Sequence, residues 1–276
     1  MLEYLYVFLV SLIFLIIPYT TAYARPEQSH AVSTIHSDIN EQVYSIPFRE
    51  GGYVKVLFCI PATHRGTIIM FPGGSGDIGL GKNGVIRHDH NFVVRTRRLW
   101  NRQGYAVIIP DTINHINLRG KRSSATYASL IQSIIAFAHE EATVPVFLFG
   151  TSQGAIAAVN GAAHAASGTI AGVVLSESVS VMGGSKETVF SATPQKVTVP
   201  VLIVANQDDR CDVAPPQAAQ QIASGMTASP EVRVFMVSGG ITKSKKNCGS
   251  LTPHGYFGIE NDVVDKVSAW LDAKSR

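Results

Sequence analysis

The chain alternates between short apolar runs and longer segments in which apolar residues recur every three or four positions. Val43–Pro47, Tyr53–Ile60, Thr67–Phe71, Tyr105–Pro110, Val144–Phe149, Ile170–Ser176, Val199–Ala205 and Val232–Val237 read as strands. Helical spacing covers Phe92–Gln103, with Gly104 as its stop, and Ser124–Glu141, which puts Leu130, Ile131, Ile134, Ile135 and Ala138 on one face. Ala155–Ala166, Gln217–Met226 and Asn261–Ala273 complete the predicted helices. Apolar strands that alternate with helices predict an α/β architecture: a mostly parallel sheet with helices on both faces. The first two strands, separated by Arg49-Glu50-Gly51-Gly52, predict an antiparallel hairpin at one edge. Neither an internal repeat nor a Pro-, Gly- or Ser-rich linker divides this pattern, so residues 41–276 read as one domain.

The first 24 residues follow another pattern. Leu5–Ile17 is an apolar run ended by Pro18, and Ala22-Tyr23-Ala24 offers small residues at a cleavage site, so residues 1–24 read as a secretory signal peptide. The run is shorter than the roughly 20 residues of a membrane span. Because Glu3 replaces the usual Lys or Arg of the n-region, an uncleaved N-terminal anchor is the alternative. Both readings put the folded part outside the cytoplasm. Residues 25–40 are polar and aperiodic, a loose leader.

Composition then narrows the partners. With 46% hydrophobic and 16% charged residues the chain can bury a core, and a net charge of +3 predicts neither a nucleic-acid nor a membrane-surface partner. Export gives meaning to the three cysteines. Cys59 lies within a strand and reads as a buried thiol, whereas Cys211 and Cys248 fall in loops and are the better candidates for pairing. A metal centre is not expected: no C-x-x-C pair exists, and His88-Asp89-His90 has no third and fourth ligand by spacing. Arg95, Arg97 and Arg98 read as a solvated basic helix face, and Lys243, Lys245 and Lys246 as surface charge.

Two glycine-rich stretches carry the chemistry. Phe71–Gly84 holds six glycines in fourteen residues directly after a strand. A phosphate loop would need G-x-x-x-x-G-K-[ST], but Gly76–Asn83 is one residue short of it: Asn83 stands where Mg²⁺ needs a hydroxyl, and Asn83-Gly84 is a turn signal where a helix should begin. An exported protein would also meet little nucleoside triphosphate. Gly150-Thr151-Ser152-Gln153-Gly154 is G-x-S-x-G between a strand and a helix, the setting that exposes a serine hydroxyl on a strained turn and leaves the Gln153 N–H free to donate. Its flanking glycines would be needed to avoid collision with the neighbouring strand and helix. A serine nucleophile needs a base and an orienting acid. In the architecture to which this motif belongs the base follows the serine in the chain; of the two histidines after Ser152, His164 lies on the helix leaving the turn and points away, which leaves His254 as base. Asp208, Asp209 and Asp212 follow the Val199–Ala205 strand as candidate acids.

These motifs resemble the α/β-hydrolase superfamily over nearly all of residues 43–273. That family orders its triad Ser, acid, His, and often ends the acid strand in H-G-x-x-D. On this chain Ala205-Asn206 match, and depart from, the H-G pair, and Asp209 matches the acid. The resemblance also implies that the Phe71-Pro72-Gly73-Gly74-Ser75-Gly76 loop supplies the second oxyanion donor, from the Gly74 N–H with Ser75 next, and that Pro72 stands where the family often has His. The glycines through Gly84 would form a flexible rim. If Asp209 and His254 meet, Cys211 and Cys248 meet with them, and a disulfide between them is expected. A group of exported bacterial α/β-hydrolases of unassigned substrate is similar here, with D-x-C after the acid strand, a Cys upstream of H-G-[FY], and a helix resembling Asn91–Arg95. Family members often carry a cap after the strand that is Ile170–Ser176 here, but Val179–Thr198 leaves no room for a large one. The implied activity is cofactor-free hydrolysis of a small-molecule or polymeric carboxylic ester through an acyl-enzyme. A peptidase, amidase or acyltransferase on the same triad, or a non-catalytic binding protein, are the alternatives.

Overall fold

The computed structural model describes residues 39–49 and 51–275. The expected signal peptide, residues 25–38 of the expected leader and Glu50 of the hairpin lie outside them. Eight strands form one sheet in the order β1-β2-β4-β3-β5-β6-β7-β8: β1 (Ile39–Pro47), β2 (Tyr53–Pro61), β3 (Gly66–Phe71), β4 (Tyr105–Pro110), β5 (Val146–Thr151), β6 (Gly172–Ser176), β7 (Val201–Asn206) and β8 (Val232–Val237). β1 and β2 pair antiparallel at one edge, β2 meets β4 antiparallel, and every other pairing is parallel. The helices are α1 (Phe92–Arg95), α2 (Arg97–Arg102), α3 (Ala125–Glu141), α4 (Gln153–Ala163), α5 (Ala219–Gly225) and α6 (Glu260–Lys274). This is the expected α/β arrangement in a single domain.

The central strands read as unbroken apolar runs because both of their faces are covered. β3, β4, β5, β6 and β7 are buried at every position. Successive residues point to opposite faces, so Ile69 and Leu148 pack with Ile131, Ile134 and Ile156 of α3 and α4. Ile68 and Phe147 pack with Trp100 of α2 and Val267 and Leu271 of α6. Cys59 lies on β2 in this second layer, fully buried, with its thiol free. Parallel strands also end at one rim, and the loops that leave β3, β5, β6 and β7 meet there.

Local differences from the sequence reading have local causes. β1 begins at Ile39, before the first apolar residue of the expected strand, because edge pairing to β2 needs backbone partners and no apolar face. The helix expected over Phe92–Gln103 breaks at Thr96, whose hydroxyl donates to the Phe92 carbonyl at 2.6 Å. The arginines there are not a solvated face. Arg97 and Arg98 pair with Glu41 of β1 at 3.1 and 3.0 Å, and Arg95 pairs with Glu260 at 2.9 Å. Between β6 and β7 the chain forms only two short 3-10 helices, Val189–Ala192 and Pro194–Lys196, with Val189 and Val197 buried, so no cap domain covers the rim. No helix of the described residues is long and apolar enough to cross a membrane.

Candidate active site

β5 runs through Gly150 and Thr151, and α4 begins one residue after Ser152. Ser152 sits between them at φ 55°, ψ −121°, a conformation that costs on the order of 1–3 kcal/mol and persists only where the surroundings impose it. Here they do. The Ser152 N–H donates to the Ser176 carbonyl at the end of β6 at 2.9 Å. A Cβ on Gly154 would lie 2.0 Å from the Phe71 carbonyl oxygen, and one on Gly150 would lie 2.3 Å from the Gly154 carbonyl oxygen. Both glycines are therefore required by close approach, to β3 in one case and to the first turn of α4 in the other.

His254 lies in a single 3-10 turn, Pro253–Gly255, capped by the Thr252 hydroxyl, which accepts the His254 N–H at 3.1 Å. The imidazole is buried. Its Nε2 is 2.9 Å from Ser152 Oγ and its Nδ1 is 2.7 Å from Asp209 Oδ2. A carboxylate can only accept, so Nδ1 carries the proton and Nε2 accepts from the serine hydroxyl. Asp209 Oδ1 accepts the Cys211 N–H at 2.8 Å. Asp208 turns elsewhere, its Oδ2 accepting the Gly239 N–H at 2.6 Å, and Asp212 is exposed. His164 stands at the end of α4 with Nδ1 on the Asn160 carbonyl.

Gly74 and Gln153 both line a cleft of about 200 Å³ that opens on Ser152. Among the described residues, neither the Gly74 N–H nor the Gln153 N–H has an intramolecular acceptor. The cleft is completed by Arg119, the Gly183–Ser185 turn, Val213 and Cys248. Arg119 makes no side-chain hydrogen bond or ion pair among the described residues; its Nη2 lies 3.6 Å from where a Cβ on Gly74 would stand. A larger hollow of about 540 Å³ between β8 and α6 is lined by no serine, threonine or cysteine.

An expected disulfide, and several residues to which the sequence reading assigned no such role, hold this arrangement. Cys211 and Cys248 form a disulfide, joining the Asp209 loop to the loop before His254. Asn206, at the end of β7, donates from Nδ2 to the Gly239 and Pro253 carbonyls at 2.9 and 3.1 Å, so it ties the same two loops. Arg95 reaches the Gly255 carbonyl. On the other side Arg122 is buried, and its Nη2 donates to the Pro72 and Gly74 carbonyls at 3.3 and 3.0 Å. Burial works against its charge. The Glu187 carboxylate accepts the N–H groups of Gly120, Arg122 and Ser123 and the Ser123 hydroxyl. Asp111 accepts the N–H groups of Ile78 and Leu80 at 2.9 and 2.8 Å, and both of those side chains are buried. The stretch from Ile78 to Leu80 is therefore anchored to the end of the sheet, whereas Lys82 and Asn83 beyond it are exposed. For Asp111 and Asn206 the only signal in the sequence was a charge or amide beside an apolar run, as in Ile108-Ile109-Pro110-Asp111 and Ala205-Asn206.

The other sequence candidates take ordinary places. His88, Asp89 and His90 are exposed and form no ligand cluster among the described residues, and Lys243, Lys245 and Lys246 are exposed.

No family model matches the sequence, and no curated protein matches it significantly. Solved structures do match. A dienelactone hydrolase from Anabaena variabilis superposes with a TM-score of 0.62 at 17% identity, over 87% of this chain and 100% of its own. An esterase of Pyrococcus furiosus matches with a TM-score of 0.62 at 10% identity, over 86% of this chain and 93% of its own. An acylaminoacyl peptidase of Pyrococcus horikoshii matches with a TM-score of 0.60 at 11% identity, over 87% of this chain and 42% of its own. At these identities the likeness concerns architecture, and a fold hosts many activities. The sheet order, the helices on both faces and these neighbours together give the chain the α/β-hydrolase fold.

Proposed function

We propose that the protein is a serine hydrolase of carboxylic esters, in which Ser152 attacks the carbonyl, His254 takes and returns the proton, and Asp209 holds the imidazolium. The observation that carries this reading is the unbroken line from Asp209 Oδ2 through His254 to Ser152 Oγ, at 2.7 and 2.9 Å, on a serine held at φ 55°. In the reaction the hydroxyl proton passes to Nε2 as Oγ bonds to carbon, and the oxyanion settles between the N–H groups of Gly74 and Gln153. His254 then protonates the leaving alcohol, and water repeats the sequence on the acyl-enzyme. Ester substrates are favoured because an alkoxide leaving group asks less of the general acid than an amine. No metal or organic cofactor enters these steps.

The cleft favours a small, polar acyl portion over a long chain. It is about 200 Å³ in volume, and Arg119 brings a cation to its mouth. Export is part of the same proposal: it rests on the N-terminal pattern, and the Cys211–Cys248 disulfide suits an oxidising compartment.

The test is hydrolysis of nitrophenyl acetate and of a nitrophenyl monoester of succinic acid, beside labelling by a fluorophosphonate. Ser152→Ala should lose on the order of 10⁶-fold in kcat together with the label. Arg119→Gln should raise KM for the succinyl ester alone. A folded, oxidised protein that neither labels nor turns over either ester would refute the enzyme reading in favour of a binding protein.

A further inference from the structure

A second carboxyl group lies behind the first. Glu177 follows Ser176, whose carbonyl holds the Ser152 N–H. Its backbone is at φ 43°, a left-handed conformation that side chains other than glycine rarely adopt, and its N–H donates to the Val204 carbonyl at 3.1 Å. The side chain lies inside the protein, and the residue is only 1% exposed. Oε1 accepts the Asn206 N–H at 2.8 Å, while Oε2 is buried without a partner. One carboxyl oxygen of Glu177, one of Asp209 and one ring nitrogen of His254 lie within 4.8 Å of one another.

Hydrogen-bond capacities then decide the protonation state. Asp209 facing Glu177 is a carboxylate and has no proton to give. The Tyr256 hydroxyl, buried on the same side, donates to the Val204 carbonyl at 3.1 Å. Both nitrogens of His254 are already engaged, by Asp209 and Ser152. An ionised Glu177 would therefore keep an unsatisfied oxygen beside a second negative charge, a costly arrangement in a buried site. With a proton on Oε2 the same atom becomes a donor, and Asp209 has acceptor capacity left to take it. Burial, followed by the Asp209 charge, pushes the Glu177 carboxyl well above the usual carboxylate range. Burial, followed by the proximity of Glu177, raises the Tyr256 phenol in turn.

We propose that Glu177 is a positioning residue that works as a neutral carboxylic acid, donating from Oε2 to Asp209 and so fixing the carboxylate that orients His254. The role rests on the reading of Ser152, His254 and Asp209 as one catalytic unit. It follows that ionisation of Glu177 removes a donor and adds a charge beside Asp209, with Tyr256 and His254 the other titratable groups facing it, so activity falls on the alkaline side as Glu177 loses its proton.

The experiment compares kcat and KM against pH for wild type, Glu177→Gln and Glu177→Leu. Glutamine offers a neutral donor that cannot ionise. It should keep kcat at neutral pH within about threefold and carry the alkaline limb to higher pH, whereas leucine should lose roughly tenfold or more in kcat at unchanged KM. A second arm follows Tm against pH in the Ser152→Ala background, where no turnover is needed. A carboxyl whose folded pKa is raised contributes stability that is full below its ordinary value of 4.5 and is lost as pH rises towards the folded pKa. Tm of the Glu177 protein should therefore fall relative to its Gln counterpart across that window. Equal kcat in the Gln and Leu variants, or an alkaline limb shared by wild type and Gln together with a Tm gap that ignores pH, would overturn the proposal. Absence of ester turnover by wild type would overturn the catalytic reading and the positioning role with it, while the Tm arm still decides whether Glu177 is neutral.

Discussion

On one side of Ser152 the loops that carry Asp209 and His254 are joined by the Cys211–Cys248 disulfide and by Asn206, which heads the Asp209 loop and donates to the Gly239 and Pro253 carbonyls of the connection that carries His254. On the other side the Pro72–Gly76 loop and the segments bearing Arg119 and the Gly183–Ser185 turn have no covalent tie. Buried charges hydrogen-bonded to backbone hold them, through Arg122, Glu187 and Asp111. Under the proposed mechanism the two sides have different tasks. The first must keep two side chains in line across a pair of hydrogen bonds, where a small displacement breaks the relay. The second has only to present backbone N–H groups, and fixing the adjacent carbonyls is enough to aim them. Covalent closure is found where side-chain alignment is demanded, and buried ion-to-backbone bonding where peptide orientation is demanded.

Substitutions can break this contrast. The largest effect belongs to the acid. Asp209→Asn should lower kcat on a nitrophenyl ester by about 10⁴-fold by forcing the wrong imidazole tautomer, whereas Asp208→Asn, which alters only the bond to the Gly239 N–H, should leave kcat nearly unchanged. Next comes Arg122→Met, which strands the Pro72 and Gly74 carbonyls in a buried place. Urea unfolding should show a loss of about 2–5 kcal/mol, at about 1–3 kcal/mol for each carbonyl left without a donor. Joint replacement of Cys211 and Cys248 by Ser should cost about 2–4 kcal/mol in the same assay. Mild reduction should lower activity on the acid–base side while leaving the Arg122 contacts untouched. Equal sensitivity of both sides to reductant would erase the distinction.

Much of the fold was legible because strands covered on both faces are apolar throughout, and none of β3 to β7 needed any other signal. β1 was legible only in part, since an edge strand takes its partners through the backbone and its outer residues can be polar, as Asn40, Glu41 and Gln42 are. In the site, the positions of Ser152, Asp209 and His254 could be found because steric demand writes glycines around the serine and chain order restricts the rest. Asp209 could be separated from Asp208 only through a resemblance, since adjacent residues in a loop point in directions that no periodicity encodes. Glu177, Asn206, Arg122 and Arg95 could not be found. Each works through a contact to a distant segment, such as Asn206 to Pro253 or Arg122 to Gly74. Arg95 looked like surface charge because its carboxylate partner, Glu260, lies at the far end of the chain.

The third cysteine has a practical consequence. Cys59 sits on β2, one strand in from the edge of the sheet, with its thiol sealed, and burial pushes that thiol up, away from the reactive thiolate. With the other two cysteines joined, the oxidised, folded described residues offer an alkylating reagent no accessible free thiol. Alkylation of the intact chain therefore clocks the opening of the sheet around β2, one molecule at a time.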